Sequence, residues 1–299
     1  MKNIFITGAQ GQDGTIISDI LRKNKKVKIY AIVENKKKFQ KKKNLIKINL
    51  LNKNKINNIF SKIRPDIILH LGSKNPSFKQ SSYKKYYQYN MTTTKNIFYA
   101  AFEKNINAKF IFCNSSQIFK KKNGSVNEKS KFFFNSDYSK FRIKCHELML
   151  DYKKKNNINY TNVILFNHDS IFRNKKFLIP RIMSSLKKKK YSFLKEINNE
   201  NISADFSHAQ DICSGLTKIL LSKENIDNVI LSSGKLTRIN DIIKFIIQKK
   251  KIFLPFKINN RKTNRGLIGN NMFAKKKFKW SPKKNIFQAS LEIYDSYQK

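Results

Sequence analysis

Asn3-Ile4-Phe5-Ile6-Thr7-Gly8-Ala9-Gln10-Gly11-Gln12-Asp13-Gly14-Thr15 decides the fold of this chain. Ile4, Phe5, Ile6 and Thr7 are apolar or β-branched in an unbroken run, which reads as a buried strand. Glycines then fall at positions 8, 11 and 14, and apolar residues at helical spacing follow (Ile16, Ile20, Leu21), so a helix is expected from Thr15. Strand, glycine turn and helix in that order make a cradle for an anion. Gly8 suits the tight turn, Gly11 lets the main chain approach a diphosphate, and Gly14 lets helix pack on strand, with the anion on the N–H groups of the helix start. The chain has only nine glycines, so three at this spacing between a strand and a helix carry weight. Gly8, Gln10, Gly11, Gln12, Asp13 and Gly14 are the candidate nucleotide-cofactor turn.

Outward from this turn, short apolar runs alternate with helical stretches. Val27–Val33, Leu45–Ile48, Asp66–Leu71, Lys109–Cys113 and Thr161–Phe166 read as further buried strands, and Ile56, Ile59, Phe60 and Ile63 as one face of a helix. This alternation over about 165 residues predicts an α/β fold, a Rossmann-type doubly wound parallel sheet. Beyond Phe166 the rhythm breaks at Pro180, a lysine-rich stretch and the polar run Asn198–Asn201. The expected organisation is therefore a dinucleotide-binding domain over 1–166 and a smaller C-terminal substrate-binding lobe over 167–299. Segments near 205–235, including a strand at Val229–Leu231, return to the main sheet, and a helix follows at Ile239–Gln248. The second strand ends at Val33-Glu34-Asn35. An acid at Glu34 can accept from ribose hydroxyls and favours NAD, whereas Lys36 to Lys38 could clamp the extra phosphate of NADP.

With 63 Lys and Arg against 19 Asp and Glu, the formal net charge is +44. The excess is mostly lysine and is spread along the chain with Asn, Ile and Phe, residues with A/T-rich codons. The runs Lys36–Lys38, Lys41–Lys43 and Lys187–Lys190 therefore read as solvated faces, since aromatics are not interleaved as stacking platforms and arginines for base readout are few. No nucleic-acid or membrane partner is expected, although anionic substrates are attracted. No apolar run reaches membrane-spanning length. Cys113, Cys145 and Cys213 are odd in number, contain no CxxC pair and fit reduced thiols in a cytoplasm. The strand begins too close to Met1 to leave room for a signal peptide, so a cytoplasmic location is expected.

Phe112-Cys113-Asn114-Ser115-Ser116-Gln117-Ile118-Phe119 closes one strand, and Tyr138-Ser139-Lys140-Phe141-Arg142 opens a helix whose apolar stripe is Phe141, Cys145, Leu148 and Tyr152. Tyr138 and Arg142, four apart, share a face. A phenol beside a fixed cation ionises more readily, so such a tyrosine can exchange a proton with a sugar hydroxyl as hydride moves to a nicotinamide. Ser115 at the strand end can hydrogen-bond the same hydroxyl. The same residues also read as a surface tyrosine in a helix-capping neighbourhood. Of the histidines, His70 reads as structural and His146 as solvent-facing. His168 and His208 read as structural hydrogen bonders, and no pair has metal-ligand spacing.

The chain resembles the extended short-chain dehydrogenase/reductase superfamily, within the NAD-dependent epimerases and dehydratases, and is most similar to the GDP-mannose 4,6-dehydratases. The resemblance rests on Thr7-Gly8-Ala9-Gln10-Gly11-Gln12-Asp13-Gly14 and on Leu165-Phe166-Asn167-His168-Asp169-Ser170. It rests also on Asp205-Phe206-Ser207-His208-Ala209-Gln210-Asp211 and on Leu267-Ile268-Gly269-Asn270 with Trp280-Ser281-Pro282. Ser233-Gly234-Lys235-Leu236-Thr237-Arg238-Ile239 looks as much like the related GDP-6-deoxy-mannose reductases. The resemblance implies NADP or NAD as cofactor and a nucleotide-linked hexose, GDP-linked above all, as substrate. It also implies a homo-dimer or homo-tetramer joined partly through the Tyr138 helix. Hydride would leave sugar C4, water would be eliminated across C5–C6, and hydride would return to C6.

Carried over residue by residue, the catalytic set is Ser115, Gln117, Tyr138 and Arg142. Asn49, Leu50, Leu71, Gly72, Ser73 and His168 join Glu34, Tyr138, Arg142 and the glycine turn around the cofactor, and Ser116, Asn167, Arg173 and Arg261 face the sugar nucleotide. No metal is implied. Gln117 stands where those dehydratases have a glutamate, and an amide is no base near neutral pH. Arg142 stands where they have a lysine, which keeps the charge but not the shape. Asn49 replaces an aspartate and Ala204 an arginine. Three readings follow: a 4,6-dehydratase impaired at these positions, a 4-keto reductase or 4-epimerase that needs no glutamate, and a catalytically silent dinucleotide-binding protein.

Overall fold

The computed structural model describes residues 1–33, 45–74, 83–104, 106–120, 123–156, 158–261 and 265–297. Glu34 and the lysines at 36–38 and 41–43 lie outside them. The chain runs through β1 (Lys2–Thr7), α1 (Gln12–Arg22), β2 (Val27–Val33), β3 (Leu45–Lys47), α2 (Lys53–Ile63), β4 (Ile67–His70), α3 (Tyr83–Glu103) and β5 (Lys109–Ser115). After a single 3-10 turn (Ser116–Ile118) come β6 (Gly124–Val126), α4 (Asp137–Asn156), β7 (Tyr160–Leu165), β8 (Asn167–Asp169), α5 (Leu178–Lys187), α6 (Tyr191–Glu200) and β9 (Ser203–His208). The chain ends with α7 (Ala209–Leu221), β10 (Asn228–Leu231), β11 (Leu236–Arg238), α8 (Ile239–Lys250), β12 (Leu267–Gly269), α9 (Met272–Phe278) and α10 (Ile286–Asp295). Two compact units result. The first comprises Met1–Lys120, Lys131–Ile164 and Leu216–Val229, and the second Lys121–Ser130, Leu165–Gly215 and Ile230–Lys299.

The central sheet is parallel and seven-stranded among the described residues, in the order β10-β7-β5-β4-β1-β2-β3, with flanking helices. Strand β1 pairs with β2 on one side and β4 on the other, placing Ile6 beside Ala31 and Leu69. Apolar runs buried on both faces are what such a sheet requires, and Ile4, Phe5 and Ile6 are wholly buried. Phe5 meets Phe60 of α2 edge-on at 4.7 Å, and Phe98 of α3 meets Phe110 of β5 at 5.5 Å. Each such side chain contributes about 1.5–3 kcal/mol on removal from water. Strand β3, expected to be buried, is half-exposed to exposed because its one neighbour in the sheet order is β2.

Two buried polar groups tie the first unit together. Lys109 opens β5 with its ammonium donating to the Ile219 carbonyl (2.7 Å), the Ser222 carbonyl (3.0 Å) and Ser222 Oγ (3.1 Å). Burial pushes its pKa down to about 8. His146 is the second group. Contrary to the solvent-facing position expected for it, it is 3% exposed, with Nδ1 2.8 Å from the Tyr160 hydroxyl. Helix α4 buries Arg142, His146 and Met149 as well as Phe141 and Cys145, a wider face than its apolar stripe marks. Burial lowers the His146 pKa to about 4 and pushes the Tyr160 phenol well up.

The second unit has its own core, in which Ile182, Leu186, Leu194, Phe206, Ile242 and Ile293 pack together from α5, α6, β9, α8 and α10. Strand β9 was expected among segments that rejoin the main sheet. It instead lies between β8, in parallel, and β11, antiparallel, in a three-stranded sheet, while β10 adds to the central sheet beside β7. The β12–β6 pair is parallel. The Asp205 carboxylate accepts from Ser233 N–H (2.9 Å), Ser233 Oγ (2.6 Å), Gly234 N–H (3.0 Å) and Gly269 N–H (3.1 Å). Burial raises its pKa even against those four donors.

Candidate cofactor and active site

At the end of β1 the backbone turns through Gly8 with φ of +66°, a left-handed conformation natural to glycine. A Cβ at Gly8 would lie 2.8 Å from Gly72 N, and one at Gly14 would lie 2.5 Å from both Ala9 Cα and Gly8 O. At Gly11 the situation differs: a Cβ would meet only Gly8 O, at 3.3 Å, so space beside it is open. Helix α1 begins at Gln12, three residues before the expected Thr15, because the turn residues Gln12 to Gly14 adopt helical geometry without apolar periodicity to announce it. Gly11 is the N-cap and has no side chain to compete for the first amides of the helix.

The turn is braced from beneath. Thr7 Oγ1 lies 2.7 Å from His70 Nδ1 and accepts the Gly72 N–H at 3.0 Å, while His70 Nε2 lies 2.9 Å from Thr94 Oγ1. This chain fastens the ends of β1 and β4 to α3. Burial, then the Arg142 charge, lower the His70 pKa to about 3, so the ring is neutral and structural, as the sequence indicated.

A cleft opens over the turn. Of the candidate cofactor residues, Gly8, Gln10, Gly11, Leu50, Leu71, Gly72 and Ser73 line it. Ile32, Val33, Ile48, Lys74 and Tyr89 also line it and were not singled out from sequence. Ile32 and Val33 end β2 and Ile48 follows β3, apolar residues with no polar signal. Lys74 is one lysine among many. Gln12, Asp13 and Gly14 form the first helical turn beside the cleft rather than its lining. Asn49 is exposed and its Oδ1 accepts the Leu51 N–H at 3.0 Å.

In the same unit, Tyr138 stands in the first turn of α4. Ser136 and Ser139 cap that turn reciprocally, each hydroxyl accepting the other's N–H at 3.2 and 2.8 Å, so the helix-capping reading and the positioned tyrosine are realised together. The Arg142 guanidinium is the hub. Nη2 donates to the Tyr138 hydroxyl at 2.9 Å and to Ser73 Oγ at 2.8 Å, and Nη1 donates to the Cys113 carbonyl. Its head lies 5.4 Å from the Phe112 ring centroid and 5.0 Å from that of Tyr138. Ser115 at the end of β5 accepts the Gln117 N–H at 3.3 Å, and Asn114 bridges from Ser115 N–H (2.9 Å) to the Arg142 carbonyl (3.4 Å). Ser116 and Gln117 form the 3-10 turn, with Gln117 exposed.

The remaining candidates belong to the second unit. Asn167 is exposed in β8, and His168 is buried with its ring donating to the Phe166 carbonyl at 2.6 Å. Arg173 stacks 3.6 Å over Phe177 and lies 3.5 Å from the Asp169 carboxylate. Arg261 is exposed on the loop after Asn259. Ala204 is half-buried in β9. Among the described residues no group of His, Cys, Asp and Glu could hold a metal ion, and no helix is long and apolar enough to cross a membrane.

The first unit fits a dinucleotide on its own terms. It offers a glycine turn with open space at Gly11, an apolar wall from Ile32, Ile48 and Leu50 and, among the described residues, a helix N-terminus without a side-chain cap and a buried Arg142 Nε–H without an acceptor. The sequence profile of the NAD dependent epimerase/dehydratase family matches residues 4–231. The chain belongs to that family. It is similar to GDP-mannose 4,6 dehydratase of Drosophila melanogaster, at 22% identity over 269 residues, 81% of this chain and 67% of that protein. The family fold also relates it to UDP-glucuronic acid 4-epimerase from Bacillus cereus in complex with NAD, with a TM-score of 0.80 and 18% identity over 98% of this chain and 95% of the other. RMD from Pseudomonas aeruginosa, complexed with NADPH, superposes with a TM-score of 0.81 at 17% identity over 99% and 98%. The dTDP-glucose 4,6-dehydratase of Bacillus anthracis, in complex with NAD, superposes with a TM-score of 0.82 at 17% identity over 99% and 96%, so an epimerase and a dehydratase are equally near in fold.

Proposed function

We propose that the chain binds NAD or NADP in the Gly8–Gly14 cleft and interconverts hydroxyl and ketone at C4 of a nucleotide-linked hexose. The bound nicotinamide supplies hydride exchange. Around it, Tyr138 moves a proton at the sugar hydroxyl, Ser115 holds that hydroxyl, and Arg142 fixes the phenol in place. The observation that carries this reading is the single guanidinium nitrogen shared between the Tyr138 phenol and Ser73 of the cofactor cleft.

Gln117 favours reactions confined to C4, that is, epimerisation or reduction of a 4-ketone. Elimination across C5–C6 needs a base where this chain has an exposed amide. A GDP-hexose 4,6-dehydratase is the second reading, favoured by the likeness to the Drosophila protein and by the GQDG and FNH motifs.

Purified protein mixed with GDP-mannose, UDP-glucose or a GDP-4-keto-6-deoxyhexose, each with NAD(H) or NADP(H), decides between them. An epimer or a reduced sugar supports the first reading, and a 4-keto-6-deoxy product from GDP-mannose supports the second. Cofactor binding with no turnover on any of the three supports a silent binding protein, and no binding of any nicotinamide coenzyme overturns the proposal.

A further inference from the structure

The cleft lining contains one formal charge among its described residues, Lys74, and that residue is unusually well placed. Its main chain is clamped on both sides by the side chain of Asn90, which is 2% exposed. The Lys74 N–H donates to Asn90 Oδ1 at 2.8 Å, and Asn90 Nδ2 donates to the Lys74 carbonyl at 2.9 Å. The ammonium lies 3.6 Å from the ring centroid of Tyr89, which also lines the cleft. Ring and amide together hold a long side chain at the wall of the cleft that Gly8, Gly11 and Ser73 also line. A cation over an aromatic face is drawn to the ring strongly enough to restrict the side chain, and its charge stays available to a neighbouring anion.

We infer that Lys74 is a phosphate-binding residue for the cofactor, its ammonium pairing with phosphate oxygens of the dinucleotide. The inference rests on the cofactor reading above and adds to it a residue and a charge. Backbone amides at the glycine turn orient a diphosphate but bring only partial positive charge, whereas NAD carries two phosphates and NADP a third. The rest of the described lining is neutral, so among those residues Lys74 is the group that can balance that charge.

The test is direct binding of NADH and of NADPH, followed by reduced-nicotinamide fluorescence, for wild type, Lys74→Met, Lys74→Arg and the remote control Lys62→Met. Removing one of 63 basic residues hardly alters the overall field, so a large effect identifies local contact. Lys74→Met should weaken binding roughly tenfold, Lys74→Arg should restore most of it, and Lys62→Met should behave as wild type. The loss should be greatest at about 0.1 M salt and shrink towards about 1 M, where screening is stronger. Equal losses for both coenzymes place the contact at the shared diphosphate. A loss confined to NADPH places it at the 2′-phosphate. Unchanged affinity for both coenzymes in Lys74→Met overturns the inference and leaves the cofactor reading standing. If wild type binds neither, the cofactor reading itself falls, and this inference falls with it.

Discussion

Arg142 donates to the Tyr138 hydroxyl at 2.9 Å across one turn of α4, and the same nitrogen reaches Ser73 at 2.8 Å. The lysine expected at this helix position would place one ammonium near the phenol. The guanidinium divides its donors among a phenol, a serine and the Cys113 carbonyl. Arg142→Met removes all three contacts and should lower turnover by about two to four orders of magnitude, the usual worth of a positioned acid–base group. It should also cost about 1–3 kcal/mol of stability through the lost hydrogen bonds of the buried guanidinium. Steady-state rates and denaturant unfolding measure the two effects, and Arg142→Lys should recover the rate better than the stability.

Gln117 offers a gain-of-function test. Its side chain is exposed and its main chain is held by Ser115 and Asn135, so Gln117→Glu should leave stability within about 0.5 kcal/mol. With GDP-mannose and NADP, the variant should raise formation of 4-keto-6-deoxy product at least about 100-fold over wild type if the absent base alone prevents elimination. Gln117→Asn should show no rise.

Gly11 and Gly14 should separate binding from folding. Gly14→Ala drives a methyl to 2.5 Å from Ala9 Cα and should destabilise the protein by about 1–3 kcal/mol. Gly11→Ala meets only one oxygen at 3.3 Å, so thermal unfolding should stay near wild type while coenzyme affinity falls roughly tenfold or more. Calorimetric melting and a coenzyme titration together resolve the two.

Acid should unfold the first unit partly through its histidines. His70 and His146 are buried neutral, with pKa values near 3 and 4 against an ordinary 6.5. The unfolded chain therefore binds more protons below pH 6.5, and stability falls as pH drops from there to about 4 for His146 and about 3 for His70. His146→Gln keeps a partner for Tyr160 and removes one titration. Its stability should decline less steeply between pH 6.5 and 4, by up to about 3 kcal/mol over the interval, as read from urea unfolding at stepped pH.

The sheet was legible because its strands are buried on both faces and need apolar runs, and the glycine turn because each glycine answers a steric demand. Helix α1 was placed late, since Gln12 to Gly14 carry no periodicity. His146 was misplaced because helical spacing counts apolar side chains, and the polar residues that α4 buries are matched by partners distant in sequence, such as Tyr160. β6, β8 and β12 are three-residue strands that no longer apolar run announces, unlike β3. Lys74 was invisible for a different reason: its distinction lies in Asn90 and Tyr89, and nothing in a lysine-rich sequence sets it apart.

Strand β10 is the edge neighbour of β7 among the described strands, yet the chain must pass through residues 166–227 before reaching it. During synthesis on the ribosome, the fully buried segment Tyr160–Leu165 emerges long before the strand that covers its outer side. Lys109 likewise waits for the carbonyls of Ile219 and Ser222. Nascent chains stalled before residue 231 leaves the ribosome should therefore expose an unpaired β edge and recruit chaperones, whereas longer ones should become protease-resistant at the strands flanking β7.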